Sequence, residues 1–296
     1  MNYYNEIKTE LINNEITKRV KDYSKNRSDL NTYYNVGKLL AEAGKHYGEG
    51  IIKEYSDRLS SELNIKYSVR TLYKIIKYFN YMNKQKVPTV SAKLSWSHYD
   101  ELLKLTDENI INYYIKISEE QNLSVRELRK KIKSNEYERL DEETKKKLKN
   151  KEELKVPDLV KNPIQIKNTS GNNEISEKIL QKLILEDIPS FLKELGSGFS
   201  FIDNEYKIKM GDRYNYIDLL LYNIKYKCYV VVELKVTELN SNHTGQIQKY
   251  MNYIDKNIKN IDDNKTVGII ICKKENRYVI EYCSDDRIIS REYELV

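Results

Sequence analysis

Residues 228–235 read Cys-Tyr-Val-Val-Val-Glu-Leu-Lys, an apolar run that ends in a carboxylate and an ammonium group. Such a run is typical of a central strand that is buried on both faces of a sheet. Because side chains alternate along a strand, Glu233 and Lys235 share one face, while Leu234 points into the core. Burying a charged side chain without a partner costs free energy, so the pattern indicates a functional site on this strand.

A second carboxylate, Asp218, interrupts another apolar strand pattern, Tyr-Ile-Asp-Leu-Leu-Leu-Tyr at 216–222. The short connection between the two patterns predicts a hairpin, in which Asp218 and Glu233 converge. Two carboxylates and a backbone carbonyl, such as that of Leu234, suit Mg²⁺. Lys235 can then orient a water activated by the metal, or neutralise charge on a phosphate. The alternative, a buried ion pair, does not explain three ionisable groups in two apolar strands.

The sequence around this strand pair predicts a mixed α/β domain. Helical spacing predicts helices at 174–195, kinked or broken at Pro189, and at 245–258. Alternating or continuous apolar patterns predict strands at 199–202, 206–210, 214–222, 227–235, 266–272 and 278–282. This order predicts helices packed around a central sheet.

The spacing of apolar residues predicts an all-helical domain over residues 1–140. Apolar positions recur with helical spacing at 11–20, 33–41, 51–63, 72–79, 99–105 and 108–121. Ser68 can cap the helix that follows it, and Ser124 with Glu127 can form a capping box. The short turn before Ser68 joins two helices as in a helix-turn-helix.

The basic charge lies in the first half of the chain. Residues 1–150 hold 29 Lys and Arg against 22 Asp and Glu, whereas the other 146 residues hold 22 against 23. No acidic residue occurs between Glu62 and Asp100, and such a field suits a polyanion. The predicted DNA contacts in this stretch are Lys66, Arg70, Lys74, Lys77 and Lys84, with Tyr81 on the same exposed stripe and Lys86 and Lys93 beyond it. The alternative is an ordinary solvated helix surface.

Two domains are expected from 296 residues, of which 32% are charged and 40% hydrophobic. Pro157, Pro163 and a polar turn-forming segment predict a linker at 141–172, between domains at 1–140 and 173–296.

The chain lacks an apolar run of about 20 residues and a signal-like N-terminus, which predicts a cytoplasmic protein. It also lacks a phosphate-binding GxxxxGK[ST] motif, so no nucleotide cofactor is expected. The cysteines and histidines lack metal-ligand spacing.

Several segments resemble the YhcG-like nuclease family of bacteria. In the second half these are 191–199 (FLKELGSGF), 216–222 and 228–235; in the first half they are 94–99 (LSWSHY) and 124–128 (SVREL). The resemblance therefore covers nearly the whole chain. It implies an all-helical N-terminal domain followed by an α/β domain of the restriction-endonuclease-like fold.

Asp218, followed by Glu233-Leu234-Lys235, also resembles the PD-(D/E)xK motif of metal-dependent nucleases, with Ile217 where the motif has proline. The resemblance implies a DNA endonuclease or exonuclease that uses Mg²⁺ or Mn²⁺. Asp218 and Glu233 would be the metal ligands and Lys235 the catalytic cation. A homodimer is expected, since cutting both strands needs two sites.

The resemblance draws attention to further residues beside this motif. Gln246 and Tyr250, one helical turn apart, are expected beside the metal as further catalytic residues that touch a phosphate or brace Lys235. The alternative is that such a pair is ordinary helix surface. Related domains often carry an acidic residue in the first helix, where this chain has Gln181, with Glu177 and Glu186 nearby. Which of these three faces the metal stays open.

The expected role is mobile-element defence or genome maintenance. The alternatives are a non-catalytic DNA-binding protein on a nuclease-like fold and an assembly protein whose N-terminal domain oligomerises, since a fold does not guarantee turnover. The intact set of Asp218, Glu233 and Lys235 favours the nuclease.

Overall fold

The computed structural model describes residues 3–19, 25–48, 50–85, 94–169, 171, 175–283 and 285–296. The chain divides into two compact units, Met1–Ser134 and Asn135–Val296. In the described residues, no helix is long and apolar enough to cross a membrane.

The described residues of the first unit form seven helices. These are α1 (Tyr3–Arg19), α2 (Lys25–Tyr47), α3 (Gly50–Leu63), α4 (Val69–Gln85), α5 (Trp96–Leu102), α6 (Glu108–Glu120) and α7 (Val125–Lys133). Helices α2 and α4 approach closely at Gly37, where a Cβ atom would lie 2.6 Å from the carbonyl oxygen of Ile75. The predicted capping box of Ser124 and Glu127 is confirmed at the start of α7.

Helix α4 is buried on more of its circumference than its apolar residues predict. Tyr78 is fully buried and packs against Trp96 and Tyr99, with ring centroids 5.7 and 4.9 Å away. Tyr81 is also buried, and its hydroxyl donates a hydrogen bond to Asn112 at 2.6 Å. The prediction that Tyr81 lies on an exposed stripe is therefore wrong, because Tyr81 packs towards α6, where Asn112 binds its hydroxyl.

The second unit is a six-stranded mixed sheet with helices. Its helices are α8 (Glu142–Asn150), α9 (Val156–Leu159), α10 (Glu177–Glu186), α11 (Ile188–Leu195), α12 (Ser241–Asn257) and α13 (Arg277–Glu281). Its strands are β1 (Ile164–Ile166), β2 (Phe199–Met210), β3 (Arg213–Asn223), β4 (Cys228–Glu238), β5 (Val267–Lys274) and β6 (Ile288–Leu295). The strand order is β1-β6-β5-β4-β3-β2. Strand β3 pairs antiparallel with β2 and β4, and the other neighbours are parallel.

Two sequence predictions differ from this topology. The stretch predicted as a linker contains α8, α9 and the edge strand β1, and Pro157 lies in the first turn of α9. The strand predicted at 278–282 is wrong, since α13 ends only at Glu281 and both Tyr278 and Tyr282 are exposed. The last strand is instead β6, whose charged residues weaken the apolar pattern. Short runs of this kind do not distinguish a strand from a helix.

Two apolar cores cover the two faces of the sheet. One core contains Leu234 together with residues of α10 and α11, and the other contains Val231 together with residues of α12. Helix α12 lies close against β5, because a Cβ atom at Gly268 would be 2.6 Å from the sulfur of Met251. This packing brings α12 against the sheet beside the charged end of β4.

Candidate functional site

The site forms where β3 separates from β4. Their antiparallel register runs from Asn223 opposite Cys228 to Leu219 opposite Val232. At the next residue, the Asp218 carboxylate accepts a hydrogen bond from the backbone N–H of Leu234 at 2.8 Å. The side chain of one strand thus binds the backbone of the other, and Asp218 comes to lie beside the Glu233-Leu234-Lys235 segment.

Glu233 is almost completely buried, with 1% of its surface exposed. Its Oε2 atom accepts a hydrogen bond from Gln246 at 3.1 Å, whereas its buried Oε1 atom has no hydrogen-bond partner. Burial, and then the charge of Asp218, raise the pKa of Glu233 to about 8. Burial also raises the pKa of Asp218. Two carboxylates that resist ionising side by side favour a bound cation.

Lys235 supplies the positive charge of the site and is 8% exposed. Its Nζ atom lies 3.5 Å from a carboxylate oxygen of Glu233 and 3.5 Å from one of Glu177. Burial alone would lower the pKa of Lys235, but Glu233, Asp218 and Glu177 raise it. The lysine is therefore held in its charged form.

Helix α10 brings two of the three candidate residues of the first helix to this site. Gln181 donates a hydrogen bond to the backbone carbonyl of Asp218 at 3.1 Å, and Glu177 is paired with Lys235. Glu186 instead accepts a hydrogen bond from Thr169 at 2.6 Å. The position aligned with the acidic residue of related domains is thus an amide, and the nearby carboxylate is that of Glu177.

Helix α12 carries Gln246 and Tyr250 on the side facing the site. Asn240 caps this helix by accepting hydrogen bonds from the backbone N–H groups of Asn242 and His243, so α12 begins before its predicted start at 245. The Gln246 amide lies within hydrogen-bond distance of Glu233 and, at 3.1 Å, of the Tyr250 hydroxyl. Tyr250 is buried, and its pKa is raised by burial. The structure thus brings together Asp218, Glu233, Lys235, Gln246 and Tyr250.

Glu205 is a further acidic residue near the site that the sequence patterns did not single out. Its charge contributes to the raised pKa of Asp218, after the larger effect of burial. It has a positive φ of 49° within β2, between the two short strands predicted at 199–202 and 206–210. The break in the apolar pattern at this acidic residue is the signal that could have identified it.

Hard oxygen donors in this arrangement are able to hold one divalent cation. Asp218 and Glu233 supply carboxylate oxygens, including the unpartnered Oε1 atom of Glu233. No group of three His, Cys, Asp or Glu side chains suited to a metal occurs in the described residues. A cation held by Asp218 and Glu233 would complete its coordination with a backbone carbonyl and waters, a donor set that Mg²⁺ accepts.

Three of the basic side chains predicted to contact DNA already bind other groups of the first unit. Lys74 forms an ion pair with Asp100, Lys77 donates to the backbone carbonyl of Leu103, and Lys84 lies 2.5 Å from Glu108. Acidic residues that are distant along the chain thus offset part of the basic stretch. Lys66 and Arg70 are exposed, whereas Lys86 and Lys93 lie outside the described residues.

Family models match both halves of the chain. Residues 157–295 match the YhcG PDDEXK nuclease domain, and residues 9–139 match the DUF1016 N-terminal domain. An Escherichia coli (strain K12) protein named "Putative nuclease YhcG" is 24% identical over 219 residues, which are 70% of this chain. The match spans 58% of the length of that relative.

Two solved structures overlap with part of the chain. A repair endonuclease from Pyrococcus abyssi is 18% identical, with a TM-score of 0.30 over 43% of this chain and 49% of that one. An EndoMS–dsDNA complex is 17% identical, with a TM-score of 0.30 over 44% of this chain and 48% of that one.

Proposed function

We propose that this chain is a metal-dependent nuclease that hydrolyses phosphodiester bonds in DNA. Its two halves match the DUF1016 N-terminal domain and the YhcG PDDEXK nuclease domain. The observation that carries the proposal is the buried group of Asp218, Glu233 and Lys235 at the fork between β3 and β4. Holding three ionisable groups together in an apolar sheet is costly, and this cost is typical of a functional site.

The residues of the site fit a divalent cation such as Mg²⁺ or Mn²⁺. The carboxylates of Asp218 and Glu233 and the carbonyl of Leu234 would hold it, and the buried Oε1 atom of Glu233 would gain the partner that it lacks. When bound, such a cation supplies Lewis-acid stabilisation of a phosphate and lowers the pKa of a water.

The other side chains position and balance these groups. The Leu234 N–H fixes the orientation of the Asp218 carboxylate, and Gln246 does the same for Glu233. The Lys235 ammonium is placed to stabilise negative charge that develops on a phosphate. Glu177 forms a second ion pair with this ammonium, and Tyr250 supports the Gln246 amide.

The function is tested by incubating the full chain with linear, circular, single-stranded and branched DNA in Mg²⁺, Mn²⁺ or EDTA. We expect cleavage in a divalent metal and none in EDTA. Cleavage of circular DNA would identify an endonuclease, whereas a requirement for ends would identify an exonuclease. Binding without cleavage of every substrate, in either metal, would favour the alternative of a non-catalytic DNA-binding protein.

The N-terminal domain is proposed to add affinity for DNA through Lys66 and Arg70, which are exposed and have no ion pair or hydrogen bond of their side chains among the described residues. Each phosphate contact contributes about 0.9 to the slope of log affinity against log salt concentration. Replacing both residues with Ala should therefore reduce this slope for duplex DNA by up to about 1.8. The matched control is Lys84→Ala, because Lys84 is already paired with Glu108. A slope unchanged in the double variant would remove Lys66 and Arg70 from the proposed DNA interface.

A further inference from the structure

The hairpin of β2 and β3 continues past the fork that holds the site. Its residues 206–217, here called the β2–β3 arm, lie beyond the last residue of β3 that pairs with β4. In the register of the arm, Lys207 lies opposite Tyr216 and Lys209 lies opposite Tyr214. Two tyrosines and two lysines are thus cross-strand neighbours.

The two faces of the arm differ sharply. Ile208 and Ile217 are buried in the core that includes α12, which anchors the arm. Tyr214 and Tyr216 are 55% and 51% exposed, although a tyrosine ring favours burial. The exposed face therefore presents two aromatic rings on a ribbon whose other face is held in place.

Positive charge accompanies these rings. The Nζ atoms of Lys207 and Lys209 lie 3.9 and 5.9 Å from the centroid of the Tyr214 ring. Arg213 adds a third basic side chain to the arm, against one acidic residue, Asp212. A nucleic acid strand needs this combination, because phosphates bind cations and unpaired bases stack on aromatic rings.

The arm is continuous with the site. Tyr216 and Asp218 are two residues apart on β3, at the end of the arm that adjoins the site. Two residues along a strand span roughly 7 Å. A DNA strand lying along the arm would therefore lead directly to the Asp218 carboxylate.

We propose that the β2–β3 arm binds unpaired nucleotides of the DNA substrate, with bases stacked on Tyr214 and Tyr216 and phosphates beside Lys207 and Lys209. The bases of an intact duplex are already stacked on one another, so the arm favours DNA with a single-stranded segment next to the cleaved bond. This inference rests on the proposed nuclease function and names its substrate class. The competing explanation is that the lysines only protect the edge strand β2 from pairing with another sheet.

The test measures binding by the full chain in EDTA, with fluorescent DNA that is single-stranded, duplex, or duplex with a single-stranded tail. The double variant Tyr214→Ala/Tyr216→Ala should weaken single-stranded and tailed binding by roughly 5-fold or more for each stacked base. Duplex binding should change little. Tyr214→Phe/Tyr216→Phe should retain the affinity, because phenylalanine still stacks. The matched control is Tyr278→Ala/Tyr282→Ala, which removes two exposed tyrosines in and directly after α13.

Unchanged single-stranded affinity in a folded alanine variant would overturn the proposal, as would an equal loss of single-stranded and duplex affinity. In the unaltered protein, iodouracil in the single strand should photocross-link to the peptide that contains Tyr214 and Tyr216. Cross-links confined to other peptides would also contradict it.

Because binding is measured without metal, the two proposals fail separately. Single-stranded binding that depends on the arm, without cleavage in any metal, would reject the nuclease and keep the arm. Metal-dependent cleavage, together with single-stranded binding that does not need the arm, would keep the nuclease and reject the arm.

Discussion

Asp218→Asn and Glu233→Gln should each lower the rate of DNA cleavage by about 10³-fold or more, because a bound cation supplies several kcal/mol of stabilisation to the reaction. Both substitutions keep the shape of the side chain and remove its charge. The rates are compared in single-turnover reactions with the substrate that the unaltered protein cleaves best. Cleavage by Asp218→Asn at the unaltered rate, in a preparation free of contaminating nuclease, would reject the assignment.

Thermal unfolding provides the control for these two variants. Because the pKa of Glu233 is raised to about 8 in the fold, the folded protein keeps a proton that the unfolded chain releases above the ordinary pKa of the carboxyl group. In EDTA, the stability from this group is complete below that ordinary pKa and is lost as the pH rises to about 8. Glu233→Gln should remove this loss. Mg²⁺ or Mn²⁺ should raise the Tm of the unaltered protein at pH near 8 and should have little effect on either variant.

Lys235→Ala should lower the cleavage rate by about 10²–10³-fold, the usual cost of losing one group that stabilises charge in a transition state. The increase in Tm caused by the metal should remain, because lysine does not ligate the cation. This combination separates Lys235 from the ligands. If Lys235→Ala instead lost the metal-dependent increase in Tm and kept the full cleavage rate, Lys235 would contribute to metal binding and not to charge stabilisation. The matched control is Lys182→Ala on α10, whose side chain is exposed.

Gln246→Ala gives a graded comparison with Lys235→Ala. Its amide contacts the proposed metal ligand Glu233, so we treat it as a positioning residue. Substitution of such partners of metal ligands typically costs 10–100-fold in affinity or activity. We therefore expect a weaker metal-dependent rise in Tm together with this smaller loss of rate.

The strands that carry the site were predictable from sequence because their signals are local. Continuous apolar residues around Glu233 and Asp218 indicated two buried strands, and the short connection indicated their antiparallel pairing, which is confirmed. Alternation also placed Leu234 in the core, on the face opposite Glu233. Each of these inferences needs only neighbouring residues.

The features that were not predicted depend on residues distant in sequence. Strand β1 is three residues long and is recognisable only through its pairing with β6, more than 100 residues later. Tyr81 has the sequence context of an exposed position and is buried, with its hydroxyl bonded to Asn112 on α6. The charge of Lys74 is likewise offset by Asp100 on α5. No local pattern contains these partners.

The hydrogen bond between Asp218 and the backbone of Leu234 has a consequence for folding. A slip of β4 by one residue against β3 would turn Glu233 and Lys235 to the opposite face of the sheet. It would also move the Leu234 N–H away from the carboxylate that it binds. The aspartate therefore acts as a register lock, and the chain cannot complete the native alignment of these two strands without assembling its acidic centre in the same event.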